Sequence, residues 1–173
     1  ITDSRGSICI PEWRPPLPES VRNTLKEIEI DYPEHGPVID PEWGEPGLKP
    51  AERVFGWNSF EILSFTTGRP NAPVNAIPGD AHANCQLRYV VGTDAADIVP
   101  ALRRYLDKNG FQQVDISRPP RGNLGASRVE PDDPWVTWSI ASIKETIGVP
   151  PAVLPNLGGS LPNDIFSDDM GLR

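Results

Sequence analysis

Side chains that bind metals or take part in redox chemistry are scarce here: two histidines, two cysteines and one methionine in 173 residues. His35 and His82 each lack a partner at ligand spacing, so both read as solvent-facing polar residues and no metal site is assigned to this chain. Cys9 and Cys85 form no Cys-x-x-Cys pair; set inside expected strands, they read as buried free thiols rather than a disulfide. No apolar run approaches the roughly 20 residues of a membrane span, and no signal-peptide pattern opens the chain, so a cytoplasmic location is expected. Basic residues are outnumbered, 16 Lys and Arg against 24 Asp and Glu, and they are scattered. A net charge of -8 without a clustered basic surface argues against a nucleic-acid partner. Arg118, Arg121 and Arg128 make one locally positive loop, read as solvated, as are the pairs Glu27/Glu29 and Asp168/Asp169.

Proline and glycine are plentiful, 21 and 15 residues, and they punctuate the chain. Ser7 to Ile10 reads as a short strand. Pro18 opens a helix with Val21, Leu25 and Ile28 on one face. Residues 31 to 50, rich in Pro and Gly, read as a long surface loop around Trp43. Asn58 to Thr67 reads as a central strand with Phe60, Ile62 and Ser64 opposing Glu61, Leu63 and Phe65. Ala81 to Val91 is a second strand, with Ala81, Ala83, Cys85, Leu87 and Tyr89 on one face and His82, Asn84, Gln86 and Arg88 on the other. A helix follows, capped by Asp97, carrying Ile98, Val99, Leu102 and Leu106, and ended by Gly110. Gln112 to Ile116 reads as a third strand. Asp132-Asp133-Pro134 starts another helix, with Val136, Ile140, Ile143 and Ile147 in its stripe and Gly148 as its stop, and Ala152 to Leu154 reads as a short buried strand. The order implies an α+β fold, an antiparallel sheet with helices on one face.

Three places carry chemistry. Asn75 sits in the Pro-flanked turn Ala72–Pro78, thirteen positions before Arg88. Its amide either braces that turn or donates to an oxygen that becomes negative during attack on a carbonyl. Arg88 is either a surface ion-pair partner or a fork for a carboxylate. Gly158-Gly159-Ser160, ahead of Pro162, is either a capping turn or a helix N-terminus that attracts an anion.

The Asn75 turn, the strand ending in Arg88, the Gly158–Pro162 loop and the segment Ser4 to Trp13 together resemble the aminoacylase, carnosinase and carboxypeptidase G family of dinuclear zinc hydrolases, in its dipeptidase-like branch. The resemblance implies a two-layer, ferredoxin-like lid over residues 1–130, lacking its first part, and an incomplete return segment of the α/β catalytic domain over 131–173. It gives Asn75 an oxyanion role, exerted across a dimer, and gives Arg88, Gly159 and Ser160 a role in holding the substrate carboxylate. The substrate would be a peptide or N-acyl amino acid, and the lid would form a homodimer. The family's His-x-Asp and Glu-Glu motifs, which hold two zinc ions and supply the general base, are not in this sequence. The chain is thus expected to be an inactive fragment missing most of its catalytic domain, with Ile1 in place of an initiator Met and an abrupt end at Gly171-Leu172-Arg173. A non-enzymatic ferredoxin-like interaction or ligand-binding regulatory module is the alternative.

Overall fold

A computed structural model describes residues 1–30, 34–36, 40–117, 124–159 and 161–172; Arg118, Arg121 and Ser160, singled out above, lie outside them. A 3-10 turn, Pro11–Trp13, is followed by α1 (Glu19–Leu25), α2 (Pro50–Gly56), β1 (Ser59–Thr67), β2 (Ala81–Arg88), α3 (Ile98–Lys108) and α4 (Pro134–Ile147), and a π-helical turn, Ile165–Asp169, closes the order. The helix termini follow their local chemistry. Asp133 accepts from Trp135 N at 2.8 Å ahead of Pro134, and Gly148 ends α4 at φ 82°, a conformation that favours glycine. Asp97 does precede α3, but its carboxylate makes no capping bond; both oxygens are taken by Arg104, at 2.9 and 2.6 Å.

β1 and β2 form an antiparallel hairpin in which Ser59 pairs with Arg88 at the base and Thr67 with Ala81 at the tip. The pairing skips Leu63, so β1 carries a bulge. In β1 the polar-apolar alternation is broken by the adjacent Ile62 and Leu63, and the extra residue restores it. Ser64 then faces with Glu61, and its hydroxyl accepts from Asn84 Nδ2 at 2.8 Å. A strict two-residue period had placed Ser64 with Phe60 and Phe65 with Glu61; the bulge reverses both. The sheet has two strands among the described residues, so β1 is not central. Gln112–Ile116 and Ala152–Leu154 form no strands, and Leu154 is 44% exposed rather than buried. Ser7–Ile10 makes only a single bridge, Ile8 to Thr2. The helix α2 begins at the end of the expected 31–50 loop, over residues for which no element was expected, and Cys9 and Cys85 are both exposed free thiols rather than buried ones.

Two small cores hold this together. Ile8, Ile10, Trp13, Ile98 and Ala101 are buried under the basal half of the hairpin, where Phe60 and Leu87 pack. Val21, Leu25 and Ala51 join α1 to α2. The distal half of the hairpin and much of α4 stay bare, with Ile62, Leu63, Phe65, Trp135 and Trp138 about 60% exposed or more. The accessible surface is 12758 Å², against about 8,400 Å² for a compact monomer of this mass. No helix among the described residues is long and apolar enough to cross a membrane.

Candidate functional site

The base of the hairpin positions Arg88 as the last residue of β2, on the polar face and about half exposed. Its Nη1 donates to the carbonyl of Gly158 at 2.7 Å, across 70 residues. Two segments selected separately in the sequence therefore meet, and Gly159 lies exposed beside the contact. On its other side, Arg88 Nε lies 3.5 Å from Glu61 Oε2, while Glu61 Oε1 accepts from Ser59 Oγ at 2.7 Å. Glu61 pairs with Gln86 in the ladder, so it is the diagonal neighbour of Arg88 on the same face.

The next residue, Tyr89, donates its hydroxyl to Leu124 O at 2.6 Å, and Gly125 N donates to Asp164 Oδ2 at 2.7 Å. Burial, then the nearby Asp164 charge, pushes the Tyr89 phenol up from its ordinary value, so it stays a donor at neutral pH. A Cβ on Gly125 would stand 2.8 Å from Asp164 Oδ2, so the close approach requires glycine there. Asp164 Oδ1 is buried without a hydrogen-bond partner. These tethers hold Leu124 and Gly158 against the end of β2 and Asp164 against Gly125. Sequence reading missed Glu61, Tyr89, Gly125 and Asp164, although Glu61 at a diagonal ladder position was the one signal available.

Asn75 is elsewhere. It is exposed in the loop 68–80 beyond the Thr67–Ala81 end. Ala81 alone is seven residues from Arg88 along β2, roughly 23 Å at strand rise. The structure does not bring Asn75 to the Arg88 cluster within one chain. His82 faces Asp80 at 3.0 Å and His35 is exposed. Arg128 is not a solvated loop residue: its side chain is 4% exposed and pairs with Glu130 at 2.7 Å. Among the described residues no group of three or more His, Cys, Asp or Glu is placed to hold a metal ion.

The chain is similar in fold to an M20 family metallo-carboxypeptidase, Sso-CP2 from Sulfolobus solfataricus, with TM-score 0.68, 22% identity, and coverage of 99% of this chain and 40% of that one. It is likewise similar to the di-peptidase Dug1p from Saccharomyces cerevisiae, with TM-score 0.63, 21% identity, and coverage of 99% and 38%. This chain thus spans about two fifths of the length of either structure. No family model and no curated protein matches the sequence.

Proposed function

We propose that this chain supplies the lid and substrate-binding portion, with a return segment of the catalytic domain, of a zinc-dependent cytoplasmic peptidase or amidohydrolase acting on a peptide or an N-acyl amino acid. The observation that carries the reading is the Arg88–Gly158 hydrogen bond, which joins the guanidinium to the loop whose next residues are Gly159 and Ser160. Arg88 would bind the substrate carboxylate with its planar fork, and the loop's N–H groups would complete the anion site. Asn75, far from its own Arg88, fits an oxyanion role only if the hairpin of a second copy delivers it. The bare apolar face of Ile62 and Phe65 supports such a homodimer. The described residues do not fit the metals of such an enzyme, so those and the general base would belong to residues outside them, and this chain alone would be inactive.

In the complete enzyme, Arg88→Ala should raise KM for a dipeptide with a free C-terminus by about 10- to 100-fold, the worth of hydrogen bonds to a charged group. Arg88→Lys should recover only part of this. C-terminally amidated substrates should show little difference between mutant and wild type; an equal loss on both substrate types would refute the assignment. The bare hairpin also favours a second reading, a non-enzymatic interaction module. Absence of hydrolysis by the zinc-loaded complete protein on dipeptides and N-acyl amino acids would select it.

A further inference from the structure

We propose that Glu61 is a specificity-determining residue beside Arg88, one that disfavours substrates whose C-terminal residue carries a second negative charge. The inference rests on the reading of Arg88 as the carboxylate fork. A guanidinium offers two paired edges, Nε with Nη2 and Nη1 with Nη2. Glu61 Oε2 lies against the first, 3.5 Å from Nε, and Gly158 O accepts from Nη1 at the border of the second. Among the described residues no hydrogen bond of Nη2 is found, so an incoming carboxylate meets the Nη1–Nη2 edge, next to Gly158 and Gly159. Ser59 Oγ donates to the other oxygen of Glu61 at 2.7 Å, which favours this placement of the carboxylate.

The geometry fixes a negative charge on the far side of Arg88 from the bound carboxylate. Adding a hydrogen-bond length on each side of the guanidinium puts that charge about 7 Å from the substrate's terminal residue. The terminal carboxylate feels Glu61 in every substrate; an acidic side chain adds a second repulsion that a neutral one lacks. Both Glu61 and Arg88 are partly exposed, at 41% and 53%, so the effective dielectric is high and screening matters. At that distance and with that screening the repulsion corresponds to a penalty of about 2- to 5-fold in kcat/KM, and a basic side chain gains about as much as an acidic one loses.

The test compares Gly-Ala, Gly-Glu and Gly-Lys as substrates of the complete enzyme and its Glu61→Gln and Glu61→Asp variants. In wild type, kcat/KM for Gly-Glu should fall below that for Gly-Lys by about 3- to 30-fold, less in 0.5 M salt. Glu61→Gln should close most of this gap through KM, with any change on Gly-Ala shared by all three substrates, and Glu61→Asp should keep it. An unchanged Glu-to-Lys ratio in Glu61→Gln overturns the proposal, and so does a parallel loss on all three substrates in both variants. If amidating Gly-Ala makes no difference to wild type, the Arg88 reading falls and this one with it; if amidation matters but the ratio stays fixed, Glu61 fails alone.

Discussion

Asn58 should be the most costly polar residue to replace in this fold, for reasons the sequence does not advertise. It is 4% exposed, and its side chain makes three hydrogen bonds to three different parts of the chain. Nδ2 donates to Trp13 O at 2.8 Å and to Thr93 Oγ1 at 2.9 Å, and Oδ1 accepts from Val90 N at 2.8 Å. Replacing it with leucine keeps the volume but strands a buried carbonyl and a buried N–H, each at about 1–3 kcal/mol. Part is offset by the added apolar burial, leaving about 2–4 kcal/mol, a large share of the stability of any domain. With a urea slope of about 2–3 kcal/mol/M for a chain of this size, the midpoint of Asn58→Leu should fall by roughly 1–2 M. Asn84 is the control: it donates to Ser64 Oγ at the same 2.8 Å but is exposed, so Asn84→Leu should stay within about 0.5 kcal/mol. Equal midpoint shifts for the two variants would show that the Asn58 bonds do not hold the fold.

Two further outcomes are expected. Arg104 bonds both oxygens of Asp97 and reaches Glu12 at 3.1 Å; the Arg104 bonds hold Asp97 below its ordinary value, and a backbone bond followed by Arg104 does the same for Glu12. Carboxylates depressed in the folded state stabilise it above their unfolded values, near 3.8 and 4.5, and lose that contribution as pH falls through the folded ones. The difference in urea midpoint between wild type and Arg104→Gln should therefore be full at pH 6 and fade below about pH 4, and a difference independent of pH would contradict the ion-pair account. In the complete enzyme, Asn75→Ala should lower kcat by about 10²- to 10³-fold with KM little moved, on free and amidated substrates alike; near-wild-type kinetics would return Asn75 to the role of a turn residue.

What could be read from the sequence was mostly what is decided locally. The start of α4 at Asp133-Pro134 and its stop at Gly148 depend on a few adjacent residues, and both are found in place. The helix α2 was hidden because Lys49-Pro50 closes a stretch of Pro and Gly, and only the Glu52 carboxylate, accepting from Lys49 N at 2.8 Å, marks its first turn. The strand expected over Gln112–Ile116 shows the opposite error: alternating Val114 and Ile116 need a neighbour to pair with, and none is there among the described residues, while Val114 O instead accepts from Arg103. The expectation of buried thiols failed similarly, since Cys85 falls on the apolar face of a hairpin half that no described residue covers. Arg88 and the glycine loop were each visible in the sequence. Their contact was not, because it closes over 70 residues.

The bulge at Leu63 separates where the hairpin points from what it carries. Removing that one residue would leave every facing unchanged, with Ser59, Glu61, Ser64 and Thr66 still sharing a side and Phe60, Ile62 and Phe65 the other, because Leu63 is the residue the ladder skips. What would change is the bend, since a bulged strand curves and twists more than a regular one. The unit then resembles a jib whose hook, the loop bearing Asn75, is aimed by a joint partway along the arm. A chain shortened at Leu63 would keep its arginine anchorage and its amide, and would point the amide in another direction.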